Sequence, residues 1–428
     1  MARSAREGDR VSLARELAQA GAHGRFALQD AADVAHAVVA REIKNAATPH
    51  DAKARLDDVR ACAFAVDDVL ADRMNVGDAV GGDAALLRLE TGALGAGAAR
   101  DHALSADDSW RAVAMWGMTR GGDHDLRARG LVDGSPLVRR AALHAIVERD
   151  DGRDVAAVLD VAQRDPEPIV RSSAVRALSR LSGVPDDVTL RLRDLWTAAH
   201  EDDGLREDIA RAFASPAIQK VGGLEALAHY LGISEGNHAV GVASAILGSS
   251  IDDAGLRASA AARLLSALKT GGHRARLHAI AVTPLGHSLR AGDEGKPFLD
   301  ALIEGSHAED LDVKLAALGR LATANTNAVA PKERTAAIEA LVAIAAPGPT
   351  ASSRAARARL LLAEAGDIRV QAWVEQDLQA KDPNARLSAA EALVAMGRGA
   401  RAAPLLADED ASVRARAACS MLLAARLK

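Results

Sequence analysis

The sequence predicts an all-α fold, an α–α superhelix of roughly ten antiparallel helix pairs. Three observations point there. The stretch Asp133-Gly-Ser-Pro-Leu-Val138-Arg139-Arg-Ala-Ala142 recurs 32 residues later as Asp165-Pro-Glu-Pro-Ile-Val170-Arg171-Ser-Ser-Ala174, and a third copy runs from Asp408 through Val413-Arg414 to Ala417. Self-similarity at such a period marks units that cannot cover their own apolar faces and must stack on neighbours. Composition agrees: 49% of residues are hydrophobic but only 2% aromatic, so the core must be Ala, Leu, Val and Ile, with the best helix formers prominent among them. Finally, Val170, Ala174, Ala177 and Leu178 fall at i, i+4, i+7 and i+8, one apolar face of a helix.

The motif has a physical reading. Its Asp stands where a helix should begin, where a carboxylate accepts from unpaired amides and meets the positive end of the helix dipole. Pro166 follows at a position where a missing N–H costs nothing. Arg139, Arg171 and Arg414 each stand six residues after Asp133, Asp165 and Asp408. This places them beside the apolar stripe, and the expectation is a structural ladder in which each Arg bonds the Asp of an adjacent unit.

In chain order, helices are expected near 10–20, 28–46, 50–74 and 83–91, the last within the Gly-rich run from Gly77 to Gly97. Residues 1–104 differ in texture from the rest and read as an N-terminal helical cap region, since terminal repeats are atypical. Residues 105–428 read as the repeat solenoid. Its helices are expected near 108–119, 136–149, 153–164, 168–182, 186–200, 205–214, 222–232, 237–249, 253–269 and 273–282, separated by Gly, Pro and Asp breakers. The stretch 283–297 holds two Pro and three Gly and is expected to be an irregular hinge. Further helices follow near 297–305, 311–323, 331–346, 352–365, 368–380, 384–397, 399–406 and 411–426, with a second break at Ala346-Pro-Gly-Pro349.

The Asp, the Val-Arg pair and the Ala-x-x-Ala-Leu continuation resemble HEAT repeats, including the short variety of phycobilisome lyase-like proteins. Partial copies at Trp110-Arg111, Leu205-Arg206, Val313-Lys314 and Ala385-Arg386 extend the similarity over roughly 105–428. The resemblance implies a stack of helix pairs whose second helices line a concave binding face. It also brings in two enzyme alternatives, bilin lyase-like chemistry and base excision.

Net charge is −5, which argues against nucleic-acid or anionic-membrane partners. Acidic doublets such as Asp107-Asp108, Asp150-Asp151 and Asp252-Asp253 read as helix caps, and no calcium loop accompanies them. Cys62 and Cys419, the two cysteines, stand too far apart in sequence to be expected to pair in a stack. No apolar run long enough to span a membrane occurs, and Met1-Ala-Arg-Ser lacks a signal's apolar region, so the cytoplasm is the default, with a periplasmic or lipid-anchored site if an export signal is missing. Catalytic patterns are near-misses. Gly286-His-Ser288-Leu-Arg290 lacks the closing Gly of a nucleophile elbow, and His273 and His278 are five apart rather than four. No catalytic residue, cofactor or metal ligand is assigned.

Six residues beyond the motif's apolar position stand Trp116, His144, Arg176 and Arg211 in four successive units, with Arg140 at offset two. This row is the candidate concave binding surface, suited to an acidic or extended peptide because Arg and Trp are favoured interface anchors. The functional expectation is a non-enzymatic interaction scaffold for a protein or peptide partner. The alternatives are a HEAT-fold enzyme or a structural subunit of a larger assembly.

Overall fold

A computed structural model describes residues 28–95, 102–117, 124–150, 152–199, 203–284, 295–324, 328–347 and 353–426, and all regular structure among them is helical. The helix expected near 10–20 and most of the hinge expected at 283–297 lie outside the described residues. The chain forms two compact units. A terminal unit joins 1–94 with 321–323 and 331–428, and a central unit holds 95–320 and 324–330.

The terminal unit begins with α1 (Leu28–Lys44), whose Asp30 in the first turn and Arg41 and Lys44 in the last complement the helix dipole. The continuous helix expected over 50–74 is instead three pieces: α2 (Pro49–Asp58), a 3₁₀ turn over Arg60–Ala65 and α3 (Asp67–Met74). Val59 and Val66 leave helical geometry at the two joints, and both are fully buried together with Cys62. Burying these side chains outweighs local helix propensity, which is weak for β-branched residues. α4 (Ala79–Glu90) is capped by Asp78, which accepts from the Gly81 amide at 2.8 Å. A Cβ on Gly81 would meet the Met74 carbonyl oxygen at 3.1 Å, so glycine lets α4 close onto α3.

The central unit is two layers. Helices α5 (Asp108–Trp116), α7 (Pro136–Arg149), α9 (Pro168–Leu178), α11 (Asp203–Phe213), α13 (Gly236–Leu247) and α15 (His273–Val282) pack side by side as the motif-bearing layer. Between them in sequence, α6 (His124–Leu131), α8 (Val155–Arg164), α10 (Val188–Ala198), α12 (Leu224–Ile233), α14 (Ala254–Thr270) and α16 (Lys296–Gly305) form the second layer. α17 (Leu311–Thr323) follows, capped by Asp310. Val138, Val170, Ile209 and Val240 are fully buried between the layers with Ala142 and Ala174, and the small Ala side chains let the helices approach closely. The helix expected at 222–232 starts later because Gln219–Gly223 is a π-helical turn with Gly222 at φ +97°, fixed where Thr189 donates to the Val221 carbonyl at 2.8 Å.

The terminal unit resumes with α18 (Pro331–Ala345), α19 (Ser353–Glu364), a 3₁₀ turn at Ile368–Val370, α20 (Gln371–Asp377), α21 (Pro383–Ala395) and α22 (Ala411–Arg426). The α-helix expected at 399–406 is a 3₁₀ stretch, Gly399–Ala407, because Pro404 inside it has no N–H to give. α1 lies along α22, and α2 and the Arg60–Ala65 turn pack on α22 as well.

This arrangement overturns the expectation for the cysteines. Cys62 and Cys419, 357 residues apart in sequence, form a disulfide with their Cα atoms 5.4 Å apart. Sequence distance does not bound spatial distance here, because within the terminal unit the first described helices pack on the last described one.

Candidate interaction surface

The Asp and Arg of the motif are placed as follows. The Arg139 Nε and Nη2 donate to both carboxylate oxygens of Asp165 at 2.6 and 2.9 Å, while its Nη1 donates to the carbonyls of Asp133 and Gly134 at 2.8 and 3.2 Å. Asp165 in turn accepts the Glu167 amide at 2.9 Å. One guanidinium thus ties the turn of its own unit to the turn of the next. Arg111 repeats this with Asp133 and the Ser105 and Ala106 carbonyls, and Arg386 with Asp408 and the Ala380 and Lys381 carbonyls. These two rungs come from copies in which the Asp of the motif is displaced: Ser105 and Ala380 stand in its place, and only their backbone oxygens are needed. Arg171 bonds the Asp165 and Pro166 carbonyls. Arg414 bonds the Asp408 and Glu409 carbonyls and pairs with Glu42 of α1 at 2.7 and 2.8 Å. Glu42 therefore stands where a following unit's Asp would be. The Arg111 bonds hold the Asp133 carboxyl below its usual range, and the Glu42 bonds raise Arg414.

The candidate row lies on the motif-bearing layer of the central unit. The Trp116 ring stacks on the His144 ring, centroids 3.7 Å apart and planes 10° from parallel. Arg140 is exposed one turn before His144. Arg176 reaches across from α9 to Asp208 of α11 at 3.6 Å, and Arg211 contacts both Glu207 and Asp208 on its own helix. The structure thus brings Trp116 to His144, and Arg176 to Arg211 through a shared carboxylate.

Three further groups join the row. Arg180 faces Glu148, 3.9 Å away on α7. His278 of α15 lies 3.7 Å from Glu207 and 2.8 Å from the Asn237 side-chain oxygen. Glu148 and Arg180 both sit at offset ten from the motif's apolar position, so continuing the offset by one helical turn would have found them. Nothing in the motif signals His278. His273, its neighbour in sequence, points elsewhere and bonds Asp310.

Electrostatics give the row a layered character. Asp208 is nearly buried, and burial raises its carboxyl above the usual range against the pull of its Ser172 hydrogen bond and the two Arg. Glu207 is lowered, chiefly by its contact with His278. The cations are the outer layer: side-chain exposure is 51% for Arg176, 62% for Arg180 and 54% for Arg211, against 24% for Glu207 and 6% for Asp208. The acids pair with the guanidiniums from below, and the Arg side chains remain more than half exposed.

Among the described residues no group of three or more His, Cys, Asp or Glu could hold a metal ion, and no helix is long and apolar enough to cross a membrane. The Ser288 segment lies outside the described residues. Trp196, Tyr230 and Phe213 stack in the buried seam of α10, α11 and α12.

No family model matches the chain, and no curated protein matches it. Solved structures that it resembles include the Escherichia coli protein YibA, at 14% identity and a TM-score of 0.36 over 69% of this chain and 98% of that one. The karyopherin Kap121p bound to the SUMO protease Ulp1p gives 11% identity and 0.41 over 88% of this chain and 46% of that one. UNC-45 from Drosophila melanogaster gives 14% and 0.31 over 94% and 72%.

Proposed function

We propose that the chain is a non-catalytic scaffold whose central unit holds an extended, acidic segment of a partner protein along the row from Trp116 to Arg211. The observation that carries this reading is the exposed file of Arg140, Arg176, Arg180 and Arg211 on adjacent helices, beside the Trp116–His144 stack, in a chain of net charge −5. A cluster of guanidiniums against that background concentrates positive potential on one face and offers forked donors to carboxylates. The ring stack supplies a rigid apolar anchor at one end. Kap121p, of similar fold, is named in complex with a protein.

The test is fluorescence anisotropy with a labelled, extended Glu/Asp-rich peptide carrying one Trp. Binding should weaken with added salt, and the Arg176→Glu/Arg211→Glu variant should lose at least about tenfold in affinity, since each charge-assisted hydrogen bond is worth roughly 1.5–3 kcal/mol. Equal binding by the variant would refute the assignment of the surface.

A further inference from the structure

The chain has two cysteines in 428 residues, and the fold brings both to one buried contact between the Arg60–Ala65 turn and α22. Cys62 is fully buried and Cys419 is 3% exposed. Around them the two ends are joined by polar contacts of a different kind. Arg414 pairs with Glu42, the Ser412 hydroxyl donates to Asp58 at 2.8 Å, and the Arg426 guanidinium sits 3.8 Å from the centre of the Phe64 ring. Asp58 is raised above the usual carboxylate range by burial, so this contact includes a group that resists burial.

We propose that the Cys62–Cys419 bond is a redox latch that holds the N-terminal helices on the C-terminal repeat. A dithiol reductant opens it by thiol–disulfide exchange. Its first thiolate attacks one sulfur to give a mixed disulfide and release one cysteine thiolate, and its second thiolate closes a cyclic disulfide and frees the other. Two electrons pass to the protein, and two protons from the dithiol end on the cysteines. The Val59 carbonyl oxygen lies 3.4 Å from the Cys62 sulfur and 3.9 Å from the Cys419 sulfur, so each thiol produced has an acceptor at hand and the reduced pair can remain in place without an orphaned donor. Reduction therefore leaves the helices docked but free to open.

The segment that opens is α1 to the Arg60–Ala65 turn. It is tied to the helices that follow it by Arg60–Glu90 and His36–Asp68 at its surface, while its apolar residues Val34, Ala35, Val38 and Val39 are buried in a contact completed mainly by α22. In the oxidised protein, opening at one end of this contact is limited by the covalent bond at the other. Because both sulfurs are buried, exchange with reductant must wait for a local opening, and its rate reports that opening.

The experiment uses the full chain isolated without reductant. Thiol titration should find no reactive thiols in native or urea-unfolded protein, and two after dithiol treatment and unfolding. Reduction in native buffer should raise the rate of limited proteolysis within residues 44–66 by at least about tenfold while cleavage in the central unit is unchanged. The Cys62→Ser/Cys419→Ser variant should show the faster cleavage with or without dithiol. Two free thiols in the protein as isolated under air would overturn the latch. So would equal cleavage of oxidised and reduced wild-type protein, a comparison that requires no variant to fold.

Discussion

Replacing Arg139 by Met removes one whole rung of the ladder while keeping the stem that packs beside the stripe. Two kinds of interaction go with it. The carbonyls of Asp133 and Gly134 lose their donor, and the Asp165 carboxylate, 3% exposed, is left with only the Glu167 amide. Breaking a buried ion pair by deleting one partner costs about 3–5 kcal/mol, because the remaining charge stays desolvated. For a unit of this size that corresponds to a fall of roughly 6–20 °C in Tm. Urea unfolding followed by tryptophan fluorescence reads it, since Trp110, Trp116 and Trp196 lie in the central unit and only Trp373 in the other. Arg140→Met, one residue along and exposed, serves as control and should stay within about 0.5 kcal/mol. Removing both partners, in Arg139→Met/Asp165→Leu, should cost less than the sum of the single changes by at least about 1 kcal/mol. A loss below about 1 kcal/mol for Arg139→Met, or strict additivity in the double variant, would refute the ladder as a stabilising device.

Acid should destabilise the central unit. Asp133, Asp150 and Glu207 are lowered by Arg111, Ser182 and His278 in turn, so each binds its proton more weakly folded than unfolded; the stability they add is complete above the unfolded value, near 4, and is lost as pH falls through the folded one. Urea midpoints measured downward from pH 6 should fall below about pH 4, and Asp133→Asn should flatten the fall. Gly223→Ala should destabilise by at least about 1–3 kcal/mol, because the new methyl would meet the Phe213 and Ile218 carbonyl oxygens at 2.5 and 2.8 Å, whereas Gly232→Ala, with open space around it, should be neutral or gain about 0.5–1 kcal/mol. Thermal melts of the pair distinguish them, and equal effects would contradict the packing at the π turn. Glu42→Gln should weaken the terminal unit by about 1.5–3 kcal/mol, seen as faster amide exchange over 411–426 with 136–178 unchanged.

What the sequence made legible follows from how local the physics is. Asp, Val-Arg and the Ala-Leu stripe act within one helix and its turn, so three copies were enough to specify helix pairs and to place Arg139 against Asp165 of the next unit, whereas Arg171 bonds only the carbonyls of its own turn, Asp165 and Pro166. The rungs at Arg111 and Arg386 were harder to see because the motif's Asp serves two roles, and only one of them tolerates replacement. As acceptor for the previous unit's Arg the carboxylate is needed, but as the backbone carbonyl that accepts from its own unit's Arg any residue serves. The offset placed the candidate row's side chains on adjacent helices, but the acids that pair with its guanidiniums were not legible, since Asp208 resembles any polar helix residue until its exposure is known. The disulfide was invisible for a different reason. Its two halves belong to a contact between chain ends, and no periodicity within a stack encodes what lies against its last member.

That last member poses a physical problem of its own. Arg139 and Arg386 bond forward to a carboxylate held in the next turn, whereas Arg414 meets one carried on a helix. Arg414, whose side chain is 20% exposed with α1 in place, turns its Nε and Nη2 donors onto Glu42. An exposed terminal repeat can replace such an Arg by a solvated polar residue, as capping units do. Here the motif is kept intact to its end and the acceptor is brought from the other terminus, by an α1 that has an Ala and Val face for α22 and a Glu at the height of the missing Asp. The extra methylene of Glu over Asp matches a helix-borne carboxylate reaching across from α1 rather than one held in a turn. The N-terminal segment is therefore fitted to one repeat in particular, and the pairing of Cys62 with Cys419 on the same face fixes which one.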